Sequence, residues 1–518
     1  MQQIKILWVD DEIDLLRPHV IFLEKKGYLV DTTTNGTDAL EKVANENFDI
    51  ILLDENMPGL SGLETLTRIK TTKSEIPVIM ITKSEEEFIM DEAIGSKISD
   101  YLIKPVNPNQ ILLSIKKNID QKKLITQHTT SGYQSDFQNI GSLINDSMNY
   151  NDWIEVYKKL IYWELELESS SDSGMDEVLK MQKNEANASF AKFVKSNYLT
   201  WFDKNNLEKP LISPNIFNNK IFPHLEKNEQ VVVLLIDNLR FDQWKSLQPL
   251  ILEHLNIKEE MLYYSILPTA TQYARNSIFA GLMPSEINHL YPNLWKHDEE
   301  EGGKNKYEEE LLKHQMERYG IKASMYYEKT GRTSSESKTN EIISNILNHQ
   351  LSVVVYNFVD MLSHSRTEME MIKELAKDES AYRSLTLSWF QHSALLELIK
   401  FLGQKDFTVI LTTDHGTIRV NNPLKIIGDK NTSSNLRYKQ GKNLNYNAKQ
   451  VFEITNPEQA YLPRTHVSTS YVFATNENFF AYPNNYNYYV GYYKDTFQHG
   501  GISLEELIIP IITLSSKQ

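Results

Sequence analysis

Carboxylate and imidazole side chains follow apolar runs, or precede a Gly pair, between residues 237 and 499. They are Asp237, Asp360, His364, Asp414, His415 and His499. Unbroken runs of Val, Leu and Ile predict parallel strands buried on both faces, and ligands bind at the carboxyl ends of such strands. These oxygen and nitrogen ligands suit Zn²⁺ or a similar divalent ion, and the chain has no cysteine that would compete. The pattern predicts a metal site, and ordinary polar strand ends are the alternative interpretation.

Two hydroxyl groups lie close to this set in the sequence. Thr269 and Thr271, in the segment ILPTATQ, precede a predicted helix start, where free amide groups and the helix dipole favour phosphate. Either hydroxyl is a candidate nucleophile for phosphoryl transfer. N-capping of the helix is the alternative role for a Thr at this position.

The beginning of the chain repeats this arrangement with different chemistry. Five apolar strand patterns alternate with helical patterns, which predicts a flavodoxin-like (βα)5 domain. The polar residues at its strand ends are Asp10, Asp11, Asp54, Thr82 and Lys104. Acidic oxygens of this kind hold Mg²⁺, and a carboxylate beside the ion attacks a phosphoryl group.

Composition limits the size, charge and compartment of the protein. A chain of 518 residues predicts about three domains, and a net charge of −15 argues against a general nucleic-acid binder. The absence of cysteine excludes disulfides and thiolate metal sites. The opening residues lack a signal-peptide pattern and no apolar run reaches the ~20 residues of a membrane span, so a cytoplasmic protein is expected.

The patterns together predict an α/β multidomain protein. Its domains are 1–120, a (βα)5 domain; 121–205, a helical bundle; and 206–518, a large α/β domain. The aromatic residues of the bundle form either its core or a partner surface. The polar stretch 127–138 suggests a joint and the Pro- and Asn-rich stretch 205–219 a linker. Pro510 predicts that the last strand lies at a sheet edge.

Two segments of the last domain have a distinctive surface composition. The charged run KYEEELLKH, residues 306–314, is typical of a solvated helix face. The tyrosine-rich segment 482–494 and the basic segment 437–442 combine residues that stack bases with residues that hold a phosphate backbone. An ordered loop packed on its own rings is the alternative.

The segments WVDD, LLDENMPGLSG, MITKS and DYLIKP resemble a response-regulator receiver domain. This resemblance implies that a sensor histidine kinase phosphorylates Asp54. It also implies a Mg²⁺ site formed by Asp10, Asp11, Asp54 and the carbonyl of Asn56. The remaining matched positions are the switch residues Thr82 and Tyr101, and Lys104 as partner of the phosphoryl group. Phosphorylated receivers of this family form homodimers through the fourth helix, fifth strand and fifth helix.

The later set resembles the alkaline phosphatase superfamily, in particular its PglZ-type branch. The resemblance implies two zinc ions. It assigns one to Asp360, His364 and His499, and the other to Asp237, Asp414, His415 and the Thr271 oxygen. PTAT resembles the Pro-Thr-x-Thr of nucleotide pyrophosphatases, which favours Thr271 over Thr269 as the nucleophile. The Asn that follows in those enzymes is Ala274 here, so Arg275, Asn276 and Asn238 are the candidate substrate contacts in its place.

The complete combination resembles PorX-type response regulators, a family associated with type IX secretion in Bacteroidetes. It implies a zinc-dependent phosphodiesterase acting on oligonucleotides or cyclic dinucleotides, controlled by phosphorylation, with a secretion component and a sigma factor as partners. No helix-turn-helix pattern follows residue 120, so direct promoter binding is not expected. The alternative is a signalling adaptor whose metal site is structural.

Overall fold

The computed structural model describes residues 4–83, 98–145, 148–170, 173–203, 205–300, 302–330, 336–361, 378–429 and 432–517. The chain forms two compact units, one comprising Met1–Gln134 with Ser170–Asp172, and the other Ser135–Ser169 with Ser173–Gln518. In this described part of the chain, no helix combines the length and the apolar character needed to cross a bilayer.

The first unit is built on a parallel β-sheet. Its elements are β1 Lys5–Val9, α1 Arg17–Lys25, β2 Leu29–Thr33, α2 Gly36–Asn45, β3 Ile50–Asp54, α3 Gly62–Thr72, β4 Val78–Thr82 and β5 Asp100–Ile103. The strand order is β2-β1-β3-β4-β5, and every pair is parallel. Ile6 and Trp8 pack in one apolar cluster, and Leu7 and Val9 pack in another. Burial on both faces explains the unbroken apolar run of β1, and the flavodoxin-like prediction is confirmed.

Three long helices follow, which are α4 Pro108–Asn145, α5 Tyr150–Ser170 and α6 Ser173–Asn197. The stretch 127–138, expected to be a joint, contains the boundary between the two compact units at Gln134 and Ser135, but its residues are helical and lie inside α4. Tyr133, Ile140 and Ile144 are buried, and their spacing of seven and four residues places them on one helix face. The helical pattern therefore continues through this stretch, although its polar composition suggested a break in the helix.

Aromatic residues form the core of the helical segment. The ring of Trp153 packs edge-on against Phe190 at a centroid distance of 5.3 Å. The ring of Trp201 packs in the same way against Tyr264, at 5.1 Å. Tyr264 belongs to a strand of the following α/β domain, so the rings bury the helices against that domain. Of the two roles predicted for these residues, the core is the one observed.

The second unit continues with a mixed sheet and its covering helices. Its regular elements are α7 Phe222–Glu226, β6 Val231–Ile236, α8 Phe241–Leu252, β7 Leu255–Tyr264, α9 Thr271–Ala280, α10 Pro284–Leu290, α11 Glu308–Arg318, β8 Met325–Thr330, α12 Glu336–Asn348, β9 Leu351–Tyr356, α13 Glu379–Gln391, α14 Ala394–Leu402, β10 Thr408–Thr412, β11 Ile418–Arg419, β12 Asn422–Lys425, β13 Tyr438–Lys442, β14 Val451–Ile454, β15 Thr469–Ala474, β16 Asn478–Ala481, α15 Tyr486–Tyr493, β17 Phe497–Gln498, α16 Leu504–Leu507 and β18 Ile508–Ser516. The main sheet has the order β7-β18-β10-β6-β9-β8. Smaller sheets pair β11 with β17, β12 with β16, and β13, β15 and β14.

The edge position predicted for the last strand is wrong. β18 lies between β7 and β10 and pairs with both in antiparallel fashion. The last β10–β18 pair joins Thr412 to Ile511, so Pro510 lies just beyond the end of that ladder. The carbonyl of Pro510 accepts a hydrogen bond from the Thr412 hydroxyl at 3.0 Å. Since the N and the carbonyl of one residue face the same neighbour in antiparallel pairing, the missing N–H costs no ladder bond.

The linker predicted at 205–219 is also wrong in its second half. Ile212 forms a parallel bridge with Tyr264, and short helical turns follow at Ser213–Asn215 and Phe217–Ile221. Ile216 and Phe217 are almost fully buried. The apolar residues between the Pro and Asn positions supply enough burial to hold this segment on the domain.

A buried ion pair secures the segment that carries His499. Arg437 and Glu506 are fully buried, with Nε 3.1 Å from Oε1 and Nη2 2.5 Å from Oε2. The Glu506 carboxylate also accepts hydrogen bonds from the Gly501 amide at 2.8 Å and the Ser503 hydroxyl at 2.8 Å. The Glu506 carboxylate thus binds Arg437, which directly precedes β13, and also the loop that contains Gly501 and Ser503.

We expect Glu506→Gln to destabilise the second unit by about 3–5 kcal/mol, because it leaves the Arg437 charge buried without its counter-ion. Thermal unfolding followed by circular dichroism measures the effect. Glu458→Gln is the matched control, since Glu458 is 70% exposed and pairs with Arg464 at 3.2 Å. Equal stability of the two variants would contradict the role given to the buried pair.

Candidate active site

Three parallel strands bring the predicted carboxylates to one edge of the main sheet. β6 pairs with β9 on one side and with β10 on the other. The register places Ile236 opposite Tyr356 and Leu235 opposite Thr412, so the three strands end almost level. Asp237, Asp360 and Asp414 follow these ends. The turn after β6 places Asn238 at φ +64°, a left-handed conformation that Asn tolerates better than most residues.

Asp237, Asp414 and His415 form a buried group of metal-ligand type. One ligand atom from each lies within 4.8 Å of the others. His415 Nε2 is 3.9 Å from Asp237 Oδ1 and 3.7 Å from Asp414 Oδ2. Asp414 Oδ2 is buried and makes no hydrogen bond to the described protein. A buried carboxylate oxygen without a donor calls for a cation, so this donor set fits a divalent metal ion.

The two threonines have different environments. Thr271 Oγ1 is 3.0 Å from His415 Nε2 and 3.4 Å from Asp237 Oδ1. The hydroxyl of Thr269 donates to the Gly501 carbonyl at 2.9 Å and accepts from the Gly500 amide at 3.0 Å. The helix Thr271–Ala280 has Ala270 as its N-cap and no side-chain cap. The geometry therefore favours Thr271 as the reactive hydroxyl and gives Thr269 a structural role.

A second pair of candidate ligands lies beside the first group. His499 Nε2 is 3.7 Å from Asp360 Oδ1. The imidazole rings of His499 and His415 stack with centroids 4.3 Å apart, which joins the two groups into one site. The Nδ1 atom of His499 lies 3.1 Å from the Thr269 carbonyl, a contact that orients the imidazole ring. His364, predicted as the third ligand here, lies outside the described residues.

Burial and neighbouring charges control protonation of this site. Burial and the nearby carboxylates of Asp414 and Asp360 raise the pKa of Asp237 to about 8, although Arg275 opposes the shift. Burial also raises the pKa of Asp414 and lowers that of His415. Without a cation, the raised pKa values stabilise the protonated form of the carboxyl groups. The lowered pKa of His415 keeps its imidazole neutral, which is the form that binds a metal ion.

Of the three residues predicted to contact substrate, Arg275 and Asn238 contact candidate ligand residues, and Asn276 contacts the backbone of Lys304. Arg275 Nη1 is 2.6 Å from Asp237 Oδ2, and its guanidinium is buried. Asn238 Nδ2 donates to Asp360 Oδ1 at 3.4 Å. Asn276 donates to the Lys304 carbonyl at 3.2 Å. Their substrate role stays a prediction, while the observed contacts give them a part in holding the site.

Sequence reasoning missed Glu308, which was assigned to a solvated helix face. Glu308 is 1% exposed, and its Oε1 lies 2.7 Å from Arg275 Nε. The arginine that contacts Asp237 is thus held by a second buried carboxylate. The signal was present, because Leu311, Leu312 and Gln315 follow at spacings of three, four and seven residues and are also buried.

The first unit has an acidic pocket of its own. Asp10, Asp11 and Asp54 supply ligand atoms within 4.8 Å of one another. Lys104 Nζ is 2.8 Å from Asp10 Oδ2 and 2.8 Å from Asp54 Oδ1. Burial, with help from the Asp10 and Asp11 charges, raises the pKa of Asp54 against the opposing hydrogen bond from Lys104. Oxygen ligands beside a buried acceptor carboxylate fit Mg²⁺.

Three other residues were matched to receiver domains by resemblance, and the structure places each of them on a strand or loop of the first unit. Thr82 is the last residue of β4 and is buried, and its carbonyl accepts from the Lys104 amide at 2.7 Å. Tyr101 lies on β5 and packs against the apolar cluster of β3 and β4. Asn56 is exposed in the loop after β3. The segment between β4 and β5, where the fourth helix of the predicted dimer surface falls, lies outside the described residues.

Comparison with known families gives this geometry a context. Residues 216–514 match the family described as the BREX system PglZ alkaline phosphatase-like domain. The chain belongs to this PglZ family. In this PglZ protein, residues 123–202 match the PorX response regulator linker domain and residues 6–116 match the response regulator receiver domain. This order confirms the predicted PorX-type architecture.

Curated relatives of the PglZ protein match its receiver region. ResD of Bacillus subtilis, a transcriptional regulatory protein, is 38% identical over 112 residues, which cover 22% of this chain and 46% of ResD. The CpxR homolog of Haemophilus influenzae is 40% identical over 114 residues, covering 22% and 48%. The chain spans about half the length of these relatives. Their similarity concerns the receiver and not the PglZ domain.

Two solved structures that match this chain are receiver or response-regulator proteins. A CheY-like receiver domain from Methanospirillum hungatei is 29% identical, with a TM-score of 0.23, and covers 23% of this chain and 96% of that one. TrrA of Thermotoga maritima, solved with Mg²⁺ and BeF, is 32% identical, with a TM-score of 0.21, covering 22% and 99%.

We expect Asp414→Asn to lower the zinc content of the PglZ protein by about one ion per chain, because it weakens the buried ligand group. Elemental analysis of protein purified with zinc measures this directly. Asp406→Asn is the control, since Asp406 is exposed before the same strand. Full zinc content in Asp414→Asn would exclude Asp414 as a ligand.

Proposed function

We propose that the chain is a phosphorylation-controlled, zinc-dependent phosphodiesterase that acts on oligonucleotides or cyclic dinucleotides. The observation that carries the proposal is the position of Thr271 Oγ1, 3.0 Å from His415 Nε2 at the start of the helix Thr271–Ala280. A hydroxyl beside a carboxylate and imidazole group, at a helix N-terminus, suits attack on a phosphoryl group. Membership of an alkaline phosphatase-like family supports the same reaction class.

The ligand residues fit two metal ions. In this proposal Asp237, Asp414, His415 and Thr271 hold one, and Asp360, His499 and, by resemblance, His364 hold the other. When bound, these ions supply Lewis-acid stabilisation of the phosphoryl charge and lower the pKa of a coordinated hydroxyl. The orphaned Asp414 Oδ2 is the structural support for the first ion.

The chain itself orients the reacting groups. Asn305 Nδ2 donates to the Thr271 carbonyl at 2.9 Å and holds the residue in place. Thr271 Oγ1 attacks phosphorus and loses its proton, the bond from phosphorus to the leaving ester oxygen breaks, and that oxygen takes up a proton through solvent as it departs with its organic group. Water then cleaves the Thr271 phosphoester and regenerates the hydroxyl. Arg275, held between Asp237 and Glu308, keeps a positive charge beside the ligand group throughout.

Control by phosphorylation is the second part of the proposal. A sensor histidine kinase would phosphorylate Asp54, with Mg²⁺ held by Asp10, Asp11 and the Asn56 carbonyl. Lys104, now bridging Asp10 and Asp54, would turn to the phosphoryl oxygens. The phosphorylated chain would form homodimers and regulate type IX secretion through a secretion component and a sigma factor. The match of the middle segment to the PorX linker domain supports this assignment.

We expect Thr271→Ala to reduce hydrolysis of bis-p-nitrophenyl phosphate to below about 1% of the wild-type rate, because the nucleophile is removed. Zinc-loaded protein is assayed by release of p-nitrophenolate. Thr271→Ser is the matched variant that keeps a hydroxyl and retains measurable turnover. Zinc binding with no Thr271-dependent turnover would support a signalling adaptor with a structural metal site instead.

We expect beryllofluoride with Mg²⁺ to about double the mean mass in light scattering, because it mimics a phosphoryl group on Asp54. Asp54→Asn should stay monomeric under the same conditions. Asp14→Asn, a change at an exposed residue that follows β1, should behave as wild type. An unchanged wild-type mass would refute the dimer switch.

A further inference from the structure

A cavity of about 460 Å³ opens beside the candidate active site. Gln272, the neighbour of Thr271, and His499 both line it. Its volume lies within the range of small-molecule sites in proteins. The cavity therefore meets the reaction centre and is large enough for an organic substituent of a phosphodiester.

Tyrosine rings supply the apolar part of this cavity. Tyr492 and Tyr493, at the end of the helix Tyr486–Tyr493, line it together with Tyr438. The rings of Tyr492 and Tyr493 meet edge-on at 4.9 Å, and Tyr488 stacks on the outer side of the pair at 6.1 Å from Tyr492. Tyr492 is 38% exposed and lines the cavity. Aromatic surfaces of this kind stack on flat rings.

An oriented amide lies on another side of the cavity. Asn435 Oδ1 accepts hydrogen bonds from the Arg437 amide at 2.7 Å and the Tyr438 amide at 3.1 Å. These bonds decide which end of the amide is the oxygen, and within the described residues Nδ2 donates to no protein atom. A Cβ on Gly500 would lie 2.8 Å from Asn435 Oδ1, so the glycine lets Asn435 approach the residue next to His499. Asn435 is thus a preoriented donor near the reaction centre.

The charges that line the cavity are already occupied. Lys304 Nζ donates to the carbonyls of His297, Asp298 and Glu300. The Asp298 carboxylate accepts hydrogen bonds from the hydroxyls of Tyr438 at 2.9 Å and Tyr273 at 3.2 Å. The Lys304 ammonium is thus already hydrogen-bonded, and the Asp298 carboxylate would not attract a further phosphate. The cavity consequently suits an uncharged substituent with a flat ring and polar edges.

We propose that this cavity binds one nucleoside of the phosphodiester substrate, with Tyr492 and Tyr493 against the base and Asn435 donating to one of its acceptor atoms. The inference rests on the proposed function, because it names the recognition site for that reaction. It makes Tyr492, Tyr493 and Asn435 specificity-determining residues. It also predicts a preference for substrates without a second phosphate on the bound nucleoside.

The test compares two esters with the same leaving group, thymidine 5′-(p-nitrophenyl phosphate) and methyl p-nitrophenyl phosphate. In both, nitrophenolate departs, so the ratio of their kcat/KM values isolates the thymidine. We expect zinc-loaded wild type to prefer the thymidine ester. Tyr492→Ala should lower the ratio about tenfold or more, and Tyr492→Phe should restore it, because the ring and not the hydroxyl is required.

Tyr319→Ala is the control, since Tyr319 is 45% exposed and does not line the cavity. It should leave the ratio unchanged. A ratio near one in wild type, or a ratio that Tyr492→Ala does not lower, overturns the nucleoside site while the phosphodiesterase stands. Failure of the wild type to hydrolyse either ester would instead overturn the proposed function.

Discussion

Parallel pairing of three strands is the constraint on which the site depends. β6 is hydrogen-bonded to β9 and β10 in a register that ends all three within about one residue of each other. Only this alignment places Asp237, Asp360 and Asp414 side by side, although they are far apart in the chain. Collecting carboxylates in a buried place costs free energy unless positive charge is near. Arg275 supplies part of that charge, and the orphaned oxygen of Asp414 shows where more is needed.

The helical segment is tied to the same site through a network of buried charges. Burial alone would raise the pKa of Glu164, but the adjacent cations Lys183 and Arg383 lower it to about 2. Arg383 bridges Glu164 at 2.8 Å and Asp242 at 3.0 Å, and Asp242 follows β6 by six residues. A salt-bridge network therefore connects the helices to the segment that begins at Asp237.

A second contact joins the helical segment to the segment of His499. Asn187 Oδ1 accepts from the Leu504 amide at 2.8 Å, and its Nδ2 donates to Glu505 at 3.1 Å. Glu506, next in the chain, holds Gly501 and Arg437. A displacement of the helix that carries Asn187 would thus reach the loop of a candidate ligand through packed, hydrogen-bonded groups. This gives the middle segment a physical means of affecting the site.

Local pattern was sufficient for the buried parallel strands and for the order of the domains, because an apolar run and the polar residues that end it are neighbours in the chain. The resemblance of PTAT to a known motif favoured Thr271, but only the structure showed that Thr269 is occupied by Gly500 and Gly501. Tertiary structure alone decided the interior position of β18, the pairing of Glu308 with Arg275, and the approach of Asn435 to Gly500. Each depends on contacts between residues that are far apart in sequence. Local spacing does not specify which distant residue pairs with a buried charge, which strand pairs with a sheet edge, or which group an amide contacts.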